Sequence, residues 1–279
     1  MKMKKGLKKL LALGLVAVMG VAMVGCGQEK SKDKDVLSQI KSSGKLIVGT
    51  SPDYPPFEFV IPENGKSKIV GADIDVAQKI ADKIGVKLEV KAMDFDALIP
   101  ALKANKVDMV ITGMTPNEKR KQVVDFSDIY FKGENAVVVK ADNVDKIKNE
   151  SELKKMKIGV QKGSTQETYA KDTLKAEKIT SMKSVNNLIL DLKNGNIDAV
   201  ILNSKVAKLT EGKISGIKVA NTKLTTGGDE ESMAIAINKG NNASFLKDIN
   251  EEIKTLNSTG EYDKILTNAV NLVEKAQNN

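Results

Sequence analysis

Of 44 basic residues in the 279-residue chain, one is arginine. It closes the segment Thr115-Pro-Asn-Glu-Lys-Arg120. Lysine serves as surface charge elsewhere, but it lacks the planar, two-pronged grip that a guanidinium gives a carboxylate. Arg120 is therefore the first candidate for holding an anion. The plainer readings are an exposed charge, or an ion pair with Glu118 or Asp125.

The ten aromatic residues are also unevenly used. Tyr54 and Phe57 sit in Thr50-Ser-Pro-Asp-Tyr-Pro-Pro-Phe-Glu-Phe59, which holds three of the six prolines, and Phe95 follows later. A rigid ring beside polar groups suits stacking on a ligand side chain, and core packing under the loop is the alternative. Gln161-Lys-Gly-Ser-Thr165-Gln166 is a polar turn that opens a helix, where N–H groups and hydroxyls suit an anion but also serve as an ordinary cap.

Other chemistries are excluded. The chain has no histidine, which removes Ser-His-Asp and Cys-His nucleophiles and the common zinc and iron sites. It has no Walker A, dinucleotide or EF-hand loop. No metal or cofactor is implied. The carboxylates of Asp73/Asp75 and Asp229-Glu230-Glu231 read as a helix cap and a solvated run.

The elements that must position these residues alternate between strand and helix. Lys45–Gly49 reads as a strand, and the proline loop after it as neither helix nor central strand. Asp73–Ile84 reads as a helix with apolar positions 74, 77, 80, 81 and 84, capped by Asp73 and ended by Gly85. Val86–Val90, helix 96–105 and strand 107–111 follow. The alternation predicts an α/β fold with parallel sheets. Leu102-Lys-Ala-Asn-Lys-Val-Asp-Met-Val-Ile111 recurs as Leu192-Lys-Asn-Gly-Asn-Ile-Asp-Ala-Val-Ile201, and Lys45–Ser51 has a looser copy at Lys157–Ser164. Two repeated units in one order predict two lobes of like design. Ligands of such sheets bind beyond the carboxyl ends of the strands. Those ends are Thr50, Ser51 and Thr112–Thr115 in one lobe, and Gln161–Gln166 with Asn203-Ser204 in the other. Facing each other, they make a polar cleft.

The N-terminus supplies an address. Lys2, Lys4, Lys5, Lys8 and Lys9 precede the apolar run Leu10–Val24, which is too short for a membrane span and right for a signal peptide over residues 1–25. Met23-Val24-Gly25-Cys26-Gly27 resembles a bacterial lipobox, which predicts Cys26, the one cysteine, as the acylated mature N-terminus. Gln28–Asp35 is small and charged, and residues 26–43 read as a flexible tether. Removing five lysines lowers the net charge from +8 to +3. No basic stripe interleaved with aromatics is present, so nucleic acid is a poor partner.

Together these segments resemble the polar amino-acid-binding proteins of ABC importers. The resemblance is carried by Gly71-Ala-Asp-Ile-Asp-Val-Ala, Asp94-Phe-Asp-Ala-Leu-Ile-Pro, Val107-Asp-Met-Val-Ile-Thr-Gly-Met-Thr115, Glu118-Lys-Arg120, Asp125-Phe-Ser-Asp128, Val160-Gln-Lys-Gly-Ser-Thr165 and Ile197-Asp-Ala-Val200. It covers nearly all of residues 44–270 and implies a two-lobe periplasmic-binding-protein-like fold with a two-strand hinge. Lobe 1 would be 44–134 plus 229–275, and lobe 2 would be 135–228. It implies a monomer that captures a polar L-amino acid and delivers it to a permease and its ATPase. It places the protein on the extracellular face of the cell membrane, lipid-anchored in the Gram-positive manner. By resemblance Arg120 grips the ligand carboxylate with Thr115 and Thr165. Gly113 accepts from the ammonium through its backbone beside Thr112, Tyr54 and Phe95 flank the side chain, and Gln161 lines the specificity end.

Two positions depart from the family, where an acid is usual: Ser51 and Asn203. The second leaves the ligand ammonium without its usual carboxylate. A second acid among Glu58, Glu230 and Glu231 is then expected to share the task with Asn203. An enzymatic reading would need an acid or base aimed into the cleft, and Glu58 is the residue of the proline loop placed for it.

Overall fold

The computed structural model describes residues 35–225 and 231–276. Cys26, the segment read as a signal peptide, and Glu230 lie outside them. Along the chain the elements are α1 (Val36–Ser43), β1 (Lys45–Thr50), β2 (Asp53–Tyr54), β3 (Glu58–Glu63), β4 (Lys66–Val70), α2 (Ala72–Ile84), β5 (Lys87–Ala92) and α3 (Phe95–Lys103). Then come β6 (Met109–Val110), α4 (Glu118–Lys121), β7 (Val124–Lys132), β8 (Asn135–Lys140), α5 (Glu150–Leu153), β9 (Lys157–Gln161), α6 (Thr165–Thr168) and β10 (Lys178–Met182). The last are α7 (Val185–Asn194), β11 (Ala199–Asn203), α8 (Ser204–Lys213), β12 (Ile217–Val219), β13 (Ser232–Asn238), α9 (Ala243–Ser258) and α10 (Glu261–Lys275).

The helix α1 corrects the tether, which does not extend to residue 43. Asp35 caps the helix by accepting from the Ser38 N–H at 3.0 Å, and Gly44 ends it in the left-handed conformation. Val36, Leu37 and Ile40 share one face, and Ile40 is buried. Packing of that face holds a helix too short to be stable alone.

Two five-stranded sheets form, in the orders β5-β1-β6-β13-β7 and β10-β9-β11-β8-β12. In the first, β5, β1 and β6 are parallel, while β13 runs antiparallel to both β6 and β7. In the second, β10, β9 and β11 are parallel, and β8 runs antiparallel to β11 and β12. The parallel halves are the strand–helix alternation read from sequence. The antiparallel halves come from the strands that flank the two passages between sheets, β7 to β8 and β12 to β13. The stiff proline loop proves to be partly strand: β2, β3 and β4 make a separate three-stranded sheet, with Tyr54 paired to Glu58.

Both sheets are buried on two faces, as parallel strands require. Met109, Ile235 and Ile237 pack with Val76, Ile80 and Ile249 of α2 and α9, whereas their neighbours Val110 and Ala236 pack with Leu98 and Leu102 of α3. In the second sheet Val138, Val200 and Leu202 face α7 and α8, and Val137, Val139 and Ile201 face Leu153 and Tyr169. Alternate residues thus meet opposite layers.

The internal repeat is structural. Asn105 and Gly195 both take positive φ, 53° and 79°, where each helix turns into its strand. Three residues on, Asp108 accepts from the Ile47 N–H at 2.7 Å, and Asp198 accepts from the Lys157 N–H at 2.8 Å. The same carboxylate thus ties the turn to the neighbouring parallel strand, β1 in one sheet and β9 in the other.

Candidate functional site

The proline loop and the start of α2 are locked together through backbone. Ala72 and Asp73 donate to the Pro56 and Phe57 carbonyls at 3.0 and 2.9 Å. Gly71 permits this approach: its φ is 132°, and a Cβ there would stand 2.2 Å from the Phe57 carbonyl oxygen. The register brings two acids face to face. Asp73, read as a cap, is instead fully buried. Its Oδ2 accepts from the Gly113 N–H and the Tyr130 hydroxyl, both at 2.8 Å. Glu58 Oε1 accepts from Thr112 Oγ1 at 2.9 Å, and Thr112 Oγ1 accepts from the Ser51 N–H at 3.0 Å. Glu58 Oε2 and Asp73 Oδ1 are buried without a hydrogen-bond partner among the described residues. Two neighbouring buried carboxyls disfavour each other's ionised form. Burial first, and then the charge of Asp73, holds Glu58 well above the usual carboxylate range. Burial also lifts Asp73 to about 6.

Arg120 takes neither of its plainer readings. Asn117 caps α4 by accepting from the Arg120 N–H at 2.9 Å, which turns the side chain inward. Its Nη1 donates to the Thr115 carbonyl at 2.7 Å and its Nη2 to the Gly163 carbonyl at 2.9 Å. The guanidinium carbon lies 5.3 Å from the centre of the Phe95 ring. Arg120 is 7% exposed, and it makes no ion pair with a carboxylate among the described residues. Burial lowers its pKa to about 10, against the opposing field of Glu231.

From the second sheet, Ser164 caps α6 and Gln161 ends β9. The Gln161 amide donates to the Lys183 carbonyl at 3.3 Å. Asn203, at the end of β11, is fully buried. Its N–H donates to the Tyr54 hydroxyl at 2.8 Å, and its Oδ1 caps α8 by accepting from the Lys205 N–H at 2.9 Å. Its Nδ2 donates to Glu231 at 3.4 Å. The carbonyl oxygen expected to face a ligand ammonium is thus engaged in capping. Glu231, just before β13, is 5% exposed and also accepts from Gln166 Nε2 at 2.8 Å and Thr165 Oγ1 at 3.3 Å. Burial raises it to about 7, the largest effect among opposing ones from its hydrogen bonds and Arg120.

Ser51, Tyr54, Glu58, Phe95, Thr112, Gly113, Thr115, Arg120, Gln161 and Thr165 line one space of about 20 Å³ between the sheets. That is room for about one water. Ser164 and Gln166 line it as well. The sequence placed both in the polar turn without assigning them to the site. Their adjacency to Thr165 at a helix start was the available signal. Phe57 does not line it. It lies in the core, its ring centre 5.0 Å from that of Phe131. The rims touch directly: besides Arg120 on Gly163, the Val185 N–H donates to Asp53 at 2.7 Å. Lys162 pairs with Asp96 at 2.9 Å and Lys183 with Asp94 at 2.7 Å.

Comparison with known proteins agrees with this architecture. The chain is 34% identical over 265 residues to the arginine-binding extracellular protein ArtP of Bacillus subtilis, covering 93% of this chain and 96% of that one. It is 33% identical over 266 residues to a probable histidine-binding protein of Campylobacter jejuni, covering 93% and 98%. Among solved structures, an amino acid ABC transporter substrate-binding protein from Streptococcus pneumoniae bound to L-arginine superposes with a TM-score of 0.82 at 35% identity, covering 85% of this chain and 98% of that one. Residues 46–270 match the family model, and the chain belongs to the bacterial extracellular solute-binding proteins, family 3.

Proposed function

We propose that this protein captures one free polar L-amino acid per chain, as a monomer and without turnover, and delivers it to the permease of an ABC importer. The observation that carries the reading is Arg120: a buried guanidinium in the cleft between two lobes, held by backbone carbonyls and a ring rather than by a carboxylate. A guanidinium kept from water with no ion-paired carboxylate among the described residues is costly, and a ligand carboxylate relieves that cost. In this reading Thr115 and Thr165 assist, Tyr54 and Phe95 bound the side chain, and Ser51, Thr112, Gly113 and Gln161 complete the wall. The named ligands of relatives, arginine and histidine, support an amino acid. The space of about 20 Å³ implies that the lobes part to admit it.

The test is a thermal-shift screen of the twenty amino acids, cystine, ornithine and citrulline on protein refolded free of carried-over ligand. A ligand at a hundredfold excess over its Kd adds about 2.7 kcal/mol. For a protein of this size that raises Tm by roughly 5–10 °C. A screen with no shift for any compound overturns the reading.

We also infer that Cys26 is lipidated and anchors the protein to the outer face of the cell membrane. Among the described residues no helix is long and apolar enough to cross a membrane. The support is the apolar run ending in the lipobox-like Val24-Gly25-Cys26. An alkyne fatty acid fed to expressing cells should label the wild-type chain, and Cys26→Ala should lose both label and membrane retention. Equal labelling of the two chains rules the anchor out.

A further inference from the structure

We propose that Glu231 is the carboxylate that pairs with the ammonium group of the bound amino acid, with Asn203 holding it in position. The inference rests on the amino-acid binding proposed above and adds a residue that fixes which end of the ligand points where.

Glu231 is buried, and the donors that reach it are neutral: Gln166 Nε2 at 2.8 Å, Thr165 Oγ1 at 3.3 Å and Asn203 Nδ2 at 3.4 Å. Neutral donors orient a carboxylate but leave its charge unbalanced. Among the described residues the buried cation nearby is Arg120, whose field reaches Glu231, yet the two make no ion pair. Thr165 links the two groups: it touches Glu231 and lines the cleft with Arg120. A zwitterion completes both at once. The carboxylate and ammonium of an α-amino acid sit on one carbon, so the partner of the ammonium must lie close to the partner of the carboxylate. Glu231 reaches Thr165 and Gln166, which line the same space as Arg120. Glu58 does not serve, because its Oε1 accepts from Thr112, and burial and the charge of Asp73 disfavour its ionised form.

Asn203 acts as a positioning residue. Its Oδ1 caps α8 and its N–H is held by Tyr54, so its Nδ2 is presented to Glu231 from a fixed frame. The titratable groups facing Glu231 are Arg120 from α4 and Tyr54 from β2. Burial keeps Glu231 near 7 in the free protein. A ligand ammonium favours the ionised form, so binding should weaken as pH falls through that range.

The experiment is calorimetric titration of the wild type, Glu231→Gln, Asn203→Asp and the double variant with L-arginine, L-histidine and L-glutamine, at pH 8 and pH 6. Glu231→Gln keeps shape and acceptor capacity, and a ligand-free melting curve confirms that each variant folds. For the amino acid that binds the wild type, Glu231→Gln should lose at least tenfold in affinity at pH 8. It should also lose most of the weakening between pH 8 and pH 6. Asn203→Asp should restore affinity to the Glu231→Gln chain, because either carboxylate can balance the same ammonium. Wild-type affinity in Glu231→Gln overturns the inference while leaving amino-acid binding intact. Tighter binding overturns it too, since Glu231 would then be competing for the cleft. If the wild type binds none of the three, nor any other amino acid in the thermal-shift screen, the function fails and this inference with it.

Discussion

Replacing Arg120 by lysine is expected to raise the Kd for the amino acid by about 30-fold or more, although the charge is kept. The loss of a desolvated, hydrogen-bonded charge pair costs on the order of 2–5 kcal/mol. An ammonium can reach one carbonyl or one carboxylate oxygen. It cannot hold Thr115 and Gly163 while presenting further donors in one plane. The loss should fall on binding rather than on folding. Arg120 is itself a burdened residue, its pKa drawn down to about 10 by burial. Its removal relieves that burden while breaking two hydrogen bonds, and the ligand-free Tm should move by only a few degrees. Titration of Arg120→Lys with the amino acid found by thermal shift checks both halves. Near wild-type affinity in a folded variant would mean that Arg120 only latches the lobes.

The second large effect is on stability against pH. Asp73 is raised to about 6 and Glu231 to about 7, both chiefly by burial, and Glu58 stands well above its ordinary range for the same reason. An acid with a raised pKa in the fold holds its proton better folded than unfolded. Its contribution is fully present below the unfolded pKa, near 4, and is lost as pH rises through the folded value. Each unit is about 1.4 kcal/mol, so Asp73 and Glu231 together make the ligand-free protein less stable at pH 8 than at pH 5 by several kcal/mol, about 3 at the least. Glu58 and Asp73 titrate as a pair, so the midpoint belongs to both. Asp125, Glu150 and Glu167 are shifted downward and work the other way, but their loss begins only as the solution falls below the ordinary carboxylate range. Tm of the ligand-free protein should therefore fall by roughly 6 °C or more between pH 5 and pH 8. A Tm that is flat or rising across that window contradicts the buried-acid account.

How much of this was legible beforehand depended on whether the signal was local. Arg120 stood out by composition alone, and the repeat at 102 and 192 announced two like lobes because each turn and strand is written in ten consecutive residues. The helix face of α2 was similarly readable. What escaped was non-local. Asp73 sits where a cap is expected, yet Gly71 takes that position and Asp73 turns to Gly113 and Tyr130, which are 40 and 57 positions away. Asn203 stands where a contact to the ligand is expected, and nothing in the sequence says that its oxygen caps α8 two residues on. The β2-β3-β4 sheet hid behind its prolines, because Pro55 and Pro56 fall in the turn and leave the flanking pairs free to bond. Glu231 looked like one of a solvated acidic run, and only the return of β13 into the first sheet buries it.

The central claim is that the cleft recognises the charged ends of a free amino acid, with Arg120 on one and Glu231 on the other. The most direct measurement is calorimetric titration of ligand-free protein with the amino acid that gives the largest thermal shift, its α-amide and its N-acetyl derivative. The account predicts one site per chain for the free amino acid and at least a tenfold loss for each derivative, about 1.4 kcal/mol apiece. Derivatives that bind as tightly as the parent would show that the ends are not what the cleft reads, and would contradict the account.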